Sequence, residues 1–116
     1  MSIRGIGVDV VDVARFAAAA ERTPAMVERV LTSGERTLPI ASQAARFAAK
    51  EALVKALGSP RGLAWHDVEV VGGSIDDTVP HFAATRTVAE AVGSARLHLS
   101  LSHDAGIATA YVVVED

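Results

Sequence analysis

The sequence contains no cysteine and few aromatic residues, and both shortages limit what the chain can be. Without thiols it can form neither disulfides nor thiolate metal sites, so any bound metal must be held by oxygen or imidazole ligands, which favours a hard cation. Only three Phe, one Trp and one Tyr occur in a chain that is 50% hydrophobic, so Ala, Val and Leu must form the core. A domain of 116 residues with such a core is expected to bury further surface by forming an oligomer.

Long apolar runs and an excess of positive charge are also lacking. Arg4 and Asp9 interrupt the first hydrophobic segment, so we expect neither a signal peptide nor a membrane-spanning segment, and therefore a soluble cytoplasmic protein. The formal net charge of −3 argues against general binding of nucleic acids. The chain has no repeat, low-complexity tract or linker, so we predict a single domain over residues 1–116.

The one long helical run in the chain extends from about Ile40 to Leu57, and Gly58 ends it. On a helical wheel, Glu51 and Lys55 lie beside a strip of alanines, a placement that suits a crevice rather than open water. The simpler interpretation is an i,i+4 surface ion pair, which stabilises a helix by about 0.2–0.5 kcal/mol. Spacing alone favours this ion pair.

Periodicity predicts shorter elements before and after this helix, and together they indicate an α+β fold. The predicted strands are Ile3–Val11, Trp65–Val71, Val79–Ala83, Arg96–Ser102 and Ile107–Val114, and the predicted short helices are Val13–Glu21, Pro24–Leu31 and Arg86–Val92. The last two strands should form an antiparallel hairpin, connected tightly through residues 103–106.

Polar residues at the predicted helix starts indicate how those starts are capped. Asp12, Thr23 and Thr85 each precede a helical segment and are suitable N-caps. Thr32 and Glu35 have the spacing of a capping box, in which each side chain accepts a hydrogen bond from the other residue's backbone amide.

Asp9 is the first candidate for chemistry, because aspartate is disfavoured inside strands. Gly5 and Gly7 occupy the same face of the predicted strand and leave room beside it. Asp9 and Glu51, from separate elements, could share a magnesium ion, which takes oxygen ligands and keeps waters for a phosphate substrate. Lys55 would suit that phosphate as a point charge.

The remaining candidates have simpler structural explanations. His103 ends a strand and could donate a hydrogen bond to a phosphate or move a proton, but a histidine beside Asp104 is more often an ordinary loop residue. Arg15 and Arg46 are most simply solvated helix residues. Residue types alone therefore leave phosphate chemistry as a minority hypothesis.

Several blocks taken together are more specific, and their order along the chain matters. They are Gly5-Ile6-Gly7-Val8-Asp9 with Arg15-Phe16, Leu31-Thr32 with Glu35, Arg46-Phe47-Ala48-Ala49-Lys50-Glu51-Ala52 with Lys55-Ala56-Leu57-Gly58, and Leu99-Ser100-Leu101-Ser102-His103-Asp104. In this order the chain resembles the holo-acyl-carrier-protein synthase family of phosphopantetheinyl transferases over nearly its whole length.

The resemblance implies an activity, a fold and partners. Such an enzyme transfers the 4′-phosphopantetheine arm of coenzyme A to a serine of apo acyl carrier protein and releases adenosine 3′,5′-bisphosphate. The implied fold is a small antiparallel sheet packed against the long central helix, in a homotrimer with the coenzyme between subunits. The implied context is fatty-acid biosynthesis, with a carrier protein of polyketide synthesis as the alternative.

The resemblance also implies residue roles. Asp9 and Glu51 would hold Mg²⁺, and Lys55 would contact the phosphate chain; with His103 they would form the catalytic set. Gly58, Ser102, His103 and Asp104 would join Lys55 in binding coenzyme A. Arg15 and Arg46 would receive the acidic carrier protein. The general base stays open among Glu51, Asp9 and His103.

Two alternatives remain from sequence. The chain could be a non-catalytic module that binds coenzyme A or the carrier protein without turnover. It could also be an unrelated α+β domain in which Glu51 and Lys55 form a plain surface pair.

Overall fold

The computed structural model describes residues 2–73 and 79–116. Its elements, in chain order, are β1 (Ile3–Asp12), α1 (Val13–Arg22), α2 (Pro24–Val30), α3 (Ile40–Ala56), β2 (Val68–Val71), β3 (His81–Ala84), α4 (Arg86–Val92), β4 (Arg96–Asp104) and β5 (Ile107–Glu115). Single 3₁₀ turns occur at Glu35–Thr37 and Trp65–Asp67.

The strands form two separate antiparallel sheets. The larger has the order β1-β5-β4, and the smaller pairs β2 with β3. The central strand β5 contacts both of its neighbours along its whole length, with Ala110 opposite Asp9 on one side and Leu101 on the other. The predicted α+β class, with an antiparallel sheet against a long helix, is confirmed.

Helix α3 lies unusually close to β1, because two glycines on that strand face it. An ideal Cβ on Gly5 would lie 1.8 Å from the carbonyl oxygen of Ala56, and one on Gly7 would lie 1.9 Å from that of Ala52. The space that the glycines leave is therefore filled by the backbone of α3.

The core behind this contact contains small and β-branched side chains, as the shortage of aromatics predicts. The alanine strip of α3 packs on β5, and these residues are almost fully buried. They include Ala48, Ala49, Ala52, Ala110, Val112 and Val114. Close backbone packing thus replaces aromatic volume in this core.

Three predicted boundaries differ from the structure by two residues or more, and one of them is the start of β3, at His81 instead of Val79. Trp65–Asp67 forms a 3₁₀ turn instead of the first half of a strand, so β2 begins at Val68. β4 continues through His103 to Asp104, which leaves only Ala105 and Gly106 for the turn into β5.

Two of the predicted capping interactions are formed. Asp12 Oδ1 accepts the amide of Arg15 at 2.9 Å. In the capping box, Glu35 Oε1 accepts the amide of Thr32 at 2.8 Å, and Thr32 Oγ1 accepts the amide of Glu35 at 3.3 Å.

Thr23 and Thr85 occupy the predicted N-cap positions, so the helix starts are confirmed, but neither side chain makes a capping hydrogen bond. Helix α4 is capped from a distance, because Asp67 Oδ2 accepts the amide of Thr87 at 3.1 Å and its hydroxyl at 2.6 Å.

Of the helices within residues 2–73 and 79–116, none combines the length and the apolar character that crossing a membrane requires.

Candidate active site

β1 and α3 together place two carboxylates and an amine at one edge of the sheet. Lys55 Nζ donates to Asp9 Oδ1 at 3.1 Å and to the carbonyl oxygen of Val8 at 3.0 Å. The Lys55 side chain is 52% exposed and that of Asp9 is 18% exposed. The ion pair is therefore formed between two elements, and the predicted i,i+4 ion pair with Glu51 is replaced by it.

Glu51 lies beside this pair in a partly buried position. Burial raises the pKa of the Glu51 carboxyl, the nearby Asp9 carboxylate raises it further, and Lys55 partly opposes both effects. Among the residues that the structure describes, no ion pair or side-chain hydrogen bond engages the Glu51 carboxylate. Its charge is thus only partly balanced by the protein.

A hollow of about 350 Å³ opens in front of the two carboxylates. Asp9 and Glu51 line one part of it, and an apolar wall lines another part. In that wall the rings of Phe16 and Phe47 lie 5.4 Å apart, between centroids, at 56°. The exposed Arg15 lies at the border of the same hollow. The hollow therefore combines negative charge, apolar surface and one peripheral cation.

The donor chemistry of this site fits a magnesium ion. Burial, and then the charge of Asp9, raise the pKa of Glu51, and a shared divalent cation would stabilise both ionised carboxylates. The described residues contain no cluster of three His, Asp or Glu side chains able to hold a metal. Asp9 and Glu51 would therefore supply only part of the coordination, as is usual for Mg²⁺ bound with water and substrate phosphates.

His103 lies elsewhere on the chain. It is exposed near the end of β4, opposite Ala108, and lines a hollow of about 200 Å³ with Arg46 and Pro80. It does not line the hollow of Asp9 and Glu51. A single chain therefore does not assemble the complete predicted catalytic set.

The other predicted coenzyme residues are dispersed in the same way. Ser102 is exposed in β4 opposite Thr109. Asp104 Oδ1 accepts a hydrogen bond from the amide of Ala105 at 2.9 Å, a local interaction typical of turns. Gly58 follows α3 with a φ of 81°, in the left-handed region that favours glycine. Of the three residues, Gly58 is nearest in sequence to Lys55.

The two arginines have different environments. Arg15 is exposed, as an interacting cation should be, whereas Arg46 is only 7% exposed. Arg46 Nη2 donates to the carbonyl oxygen of Gly72 at 2.6 Å, and its Nε is buried without a partner. Burial lowers the pKa of Arg46, and Glu35 opposes this effect. The interpretation of Arg46 as a solvated residue is wrong, and its burial does not support a docking role.

A buried ion pair behind the site was not predicted. Lys50 Nζ lies 2.7 Å from Glu35 Oε1, and the two side chains are 0% and 1% exposed. Lys50 also donates to the carbonyl oxygens of Val30 at 2.7 Å and Trp65 at 3.2 Å, while Glu35 Oε2 accepts the amide of Val70 at 2.8 Å. One sequence signal could have indicated this pair, because Lys50 places a charge inside the alanine-rich strip of α3.

Comparison with known proteins identifies the family. A family model described as the 4′-phosphopantetheinyl transferase superfamily matches residues 5–111. The holo-[acyl-carrier-protein] synthase of Clavibacter sepedonicus is 61% identical over 116 residues, which cover 97% of this chain and 96% of that protein. The chain belongs to the 4′-phosphopantetheinyl transferase superfamily.

Solved structures support the same assignment. The holo-[acyl-carrier-protein] synthase of Helicobacter pylori, in complex with coenzyme A, has a TM-score of 0.80 and 33% identity over 95% of this chain and 99% of that one. The corresponding enzyme of Neisseria meningitidis has a TM-score of 0.84 and 30% identity over 99% and 100%. The predicted function, a holo-[acyl-carrier-protein] synthase that transfers 4′-phosphopantetheine from coenzyme A, is confirmed.

Proposed function

We propose that residues 1–116 form one transferase domain whose chemistry is Mg²⁺-dependent and centred on Asp9 and Glu51. The observation that carries this proposal is the meeting of two carboxylates from β1 and α3 in one partly buried hollow, with Lys55 beside them. When bound there, Mg²⁺ would supply Lewis-acid activation and charge neutralisation at the pyrophosphate of coenzyme A.

Lys55 contacts the phosphate chain in this proposal. The Lys55 side chain is half exposed, and its hydrogen bonds to Asp9 and to the carbonyl oxygen of Val8 lie at the surface. A flexible, exposed ammonium group can follow a phosphate as its charge develops during transfer.

The acceptor serine must lose a proton as its oxygen attacks the phosphorus. Asp9 and Glu51 are the candidate bases within the hollow, since both carboxylates border it. His103 is the third candidate, and it can take part only if it reaches this hollow from a neighbouring subunit.

The outer face of the larger sheet supports the proposed homotrimer. Ile6, Val8, Val10 and Tyr111 are 59%, 40%, 62% and 55% exposed on this face. Such a continuous apolar surface is typical of protein interfaces. Association would complete the site, with His103, Ser102 and Asp104 of one subunit binding the coenzyme held against Asp9 of the next.

The carrier protein docks beside Arg15 in this proposal. Arg15 is exposed at the border of the hollow and next to its apolar wall, so an acidic partner would find one cation and an apolar surface together. We further propose that the enzyme acts in the cytoplasm and serves fatty-acid biosynthesis, which the activity of its relatives on acyl carrier protein supports.

Intact-mass spectrometry of an apo acyl carrier protein tests the proposal. The carrier is incubated with this protein and coenzyme A, once with Mg²⁺ and once with a chelator. We expect the carrier protein to gain the mass of one phosphopantetheine only when the metal is present. Adenosine 3′,5′-bisphosphate should be released in the same reaction. Asp9→Asn and Glu51→Gln should remove the gain, whereas Glu28→Gln, at an exposed position of α2, should retain it.

The same assay separates the non-catalytic alternative. Coenzyme A binding without any mass gain, seen with several carrier proteins, would identify a binding module. A mass gain that persists in the chelator would refute the metal role of Asp9 and Glu51.

A further inference from the structure

The ammonium group of Lys55 lies on the carboxylate that we assign to the metal. Its Nζ is 3.1 Å from Asp9 Oδ1 and 3.0 Å from the carbonyl oxygen of Val8. In the described part of the chain, Lys55 is the one cation within ion-pair distance of Asp9. Lys55 is thus the intrinsic counter-charge of this carboxylate.

A lysine in this position and a divalent cation compete for the same negative charge. If both were bound to Asp9 they would lie a few ångströms apart, where a monovalent and a divalent cation repel each other, and the repulsion is stronger in a partly buried site than in water. Lys55 must therefore weaken metal binding for as long as its ammonium stays on Asp9.

A bound coenzyme changes this relation. The pyrophosphate provides negative charge to which the exposed ammonium can move, and from there Lys55 would hold the phosphates against the metal. The long side chain is free to make this exchange, since its two contacts are at the surface of the chain.

We propose that Lys55 is an exchangeable counter-cation, which neutralises Asp9 until the phosphates of coenzyme A draw it away, and so couples metal binding to coenzyme binding. The proposal rests on the proposed function of Asp9 and Glu51. It assigns to Lys55 a role beyond phosphate contact. Because of Lys55, the site should bind the metal weakly without the coenzyme and strongly with it. By thermodynamic reciprocity, the metal must strengthen coenzyme binding by the same factor.

Mn²⁺ binding without carrier protein tests this, because no turnover occurs under these conditions. Free Mn²⁺ is followed by electron paramagnetic resonance for the wild type, Lys55→Met and Lys55→Arg, with and without saturating coenzyme A. Arg29→Met serves as the matched control, since it removes an exposed cation from α2. Asp9→Asn with coenzyme A gives the background of Mn²⁺ held by the coenzyme alone.

We expect Lys55→Met to change the Mn²⁺ affinity in opposite directions without and with coenzyme A. Without coenzyme A, Lys55→Met should bind Mn²⁺ about tenfold more tightly than the wild type. With coenzyme A it should bind Mn²⁺ more weakly than the wild type. Lys55→Arg, which keeps the charge, should resemble the wild type in both conditions, and Arg29→Met should change neither affinity.

Two outcomes overturn the inference alone. Equal Mn²⁺ affinities of the wild type and Lys55→Met without coenzyme A would show that Lys55 does not compete with the metal. Tighter binding by Lys55→Met in both conditions would show that Lys55 is not handed over to the phosphates. Either outcome leaves the proposed function standing if the carrier protein still gains mass with Mg²⁺.

A different outcome would remove both proposals. If the wild type bound no Mn²⁺ above the Asp9→Asn background, even with coenzyme A, Asp9 would not be a metal ligand. The inference and the metal role in the proposed function would then fail together.

Discussion

At the scale of single residues, Gly7 shows how one missing side chain positions the site. Its Cα faces α3 so closely that a Cβ would lie 1.9 Å from the carbonyl oxygen of Ala52. Asp9 is two residues further along β1 and lines the same hollow as Glu51 of α3, an arrangement that this close approach of strand and helix allows. The absence of a methyl group therefore helps to bring the two carboxylates together.

Gly7→Ala should be destabilised by about 3 kcal/mol, because backbone must move to accept the methyl group. Urea unfolding measures the change in the free energy of unfolding. Gly34→Ala is the matched control, since its Cβ would meet only the flexible end of Glu69, and it should change stability by less than about 0.5 kcal/mol. Equal stability of Gly7→Ala and the wild type would contradict the close packing of α3 on β1.

Glu51 shows a conflict between stability and function. Burial, and then the Asp9 carboxylate, raise the pKa of Glu51 above its ordinary value of 4.5. A carboxyl with a raised pKa favours the folded state while it is protonated, and that contribution is lost as the pH rises through the folded-state pKa. At neutral pH the ionised Glu51 therefore opposes folding slightly.

Glu51→Gln should raise the free energy of unfolding at pH 7 by about a few tenths of a kcal/mol, since solvent screens a group that is only partly buried. The gain should vanish below about pH 4, where the carboxyl is protonated in both states. The transferase rate should fall by about 100-fold or more as a metal ligand is lost. Denaturant unfolding at both pH values and the carrier-protein mass assay check this. Retained activity would favour a plain surface role for Glu51.

At the scale of secondary-structure elements, the pair of Lys50 and Glu35 connects several segments behind the site. Its hydrogen bonds reach the end of α2 at Val30, the 3₁₀ turn at Trp65 and the β2 amide of Val70. Burial lowers the pKa of Lys50, and the hydrogen bond and charge of Glu35 oppose this effect. The pair therefore fixes the position of α3 relative to these segments. Lys50 is the residue directly before Glu51, so this contact lies next to the site.

Lys50→Met should lower the free energy of unfolding by about 3–5 kcal/mol, because it leaves the buried Glu35 carboxylate without its cationic partner. The double variant Lys50→Met/Glu35→Gln should recover part of that loss, since no buried charge remains. Thermal and urea unfolding give the coupling energy, with the exposed Arg29→Met as a control that should change little. Additive losses in the double variant would show that the two side chains do not interact.

The cap of α4 gives a prediction about pH. The Thr87 hydroxyl, and then the Thr87 amide, hydrogen-bond to Asp67 and lower its pKa below the ordinary value of 3.8. A depressed carboxyl pKa stabilises the fold above the unfolded-state pKa, and this stability is lost as the pH falls through the folded-state pKa.

Asp67→Asn should therefore melt at a lower temperature than the wild type at pH 7, and the difference should shrink below about pH 3. Thermal melts across this range measure it, and Asp116→Asn, at an exposed position, is the control. A difference in melting temperature that does not depend on pH would mean that the ionised Asp67 does not cap the helix.

At the scale of the whole molecule, the apolar outer face of the sheet contrasts with the acidic character of the chain. Tyr111 and Ile6 are more than half exposed there, although the formal net charge is −3. The hollow of Asp9 and the hollow of His103 are separate on one chain. Association through this face would cover the apolar surface and could complete the site in one step.

Tyr111→Lys should convert the proposed trimer to monomers, because a buried unpaired charge at an interface is strongly unfavourable. Sedimentation velocity gives the mass, and we expect transfer activity to be lost with the trimer. Ile40→Lys, at the start of α3, should keep both the mass and the activity. A wild type that is monomeric and fully active would contradict the proposed assembly.

The sequence by itself determined the features that depend on near neighbours. Helix α3 was predicted to within one residue, and the Asp12 cap and the Thr32–Glu35 box were predicted correctly. Each needs only partners three or four residues apart or the propensities of a continuous segment. The ordered motifs also identified the family, since their order along the chain resembles that of its members, and the family model matches residues 5–111.

Only the tertiary structure decided which distant groups meet. Lys55 pairs with Asp9, 46 residues away, instead of with Glu51 on its own helix. Asp67 caps α4 from 20 residues away, and Arg46 is buried under the carbonyl of Gly72. Such contacts depend on how closely β1, α3 and the smaller sheet pack, and this packing is fixed by steric fit across the whole core and not by local spacing.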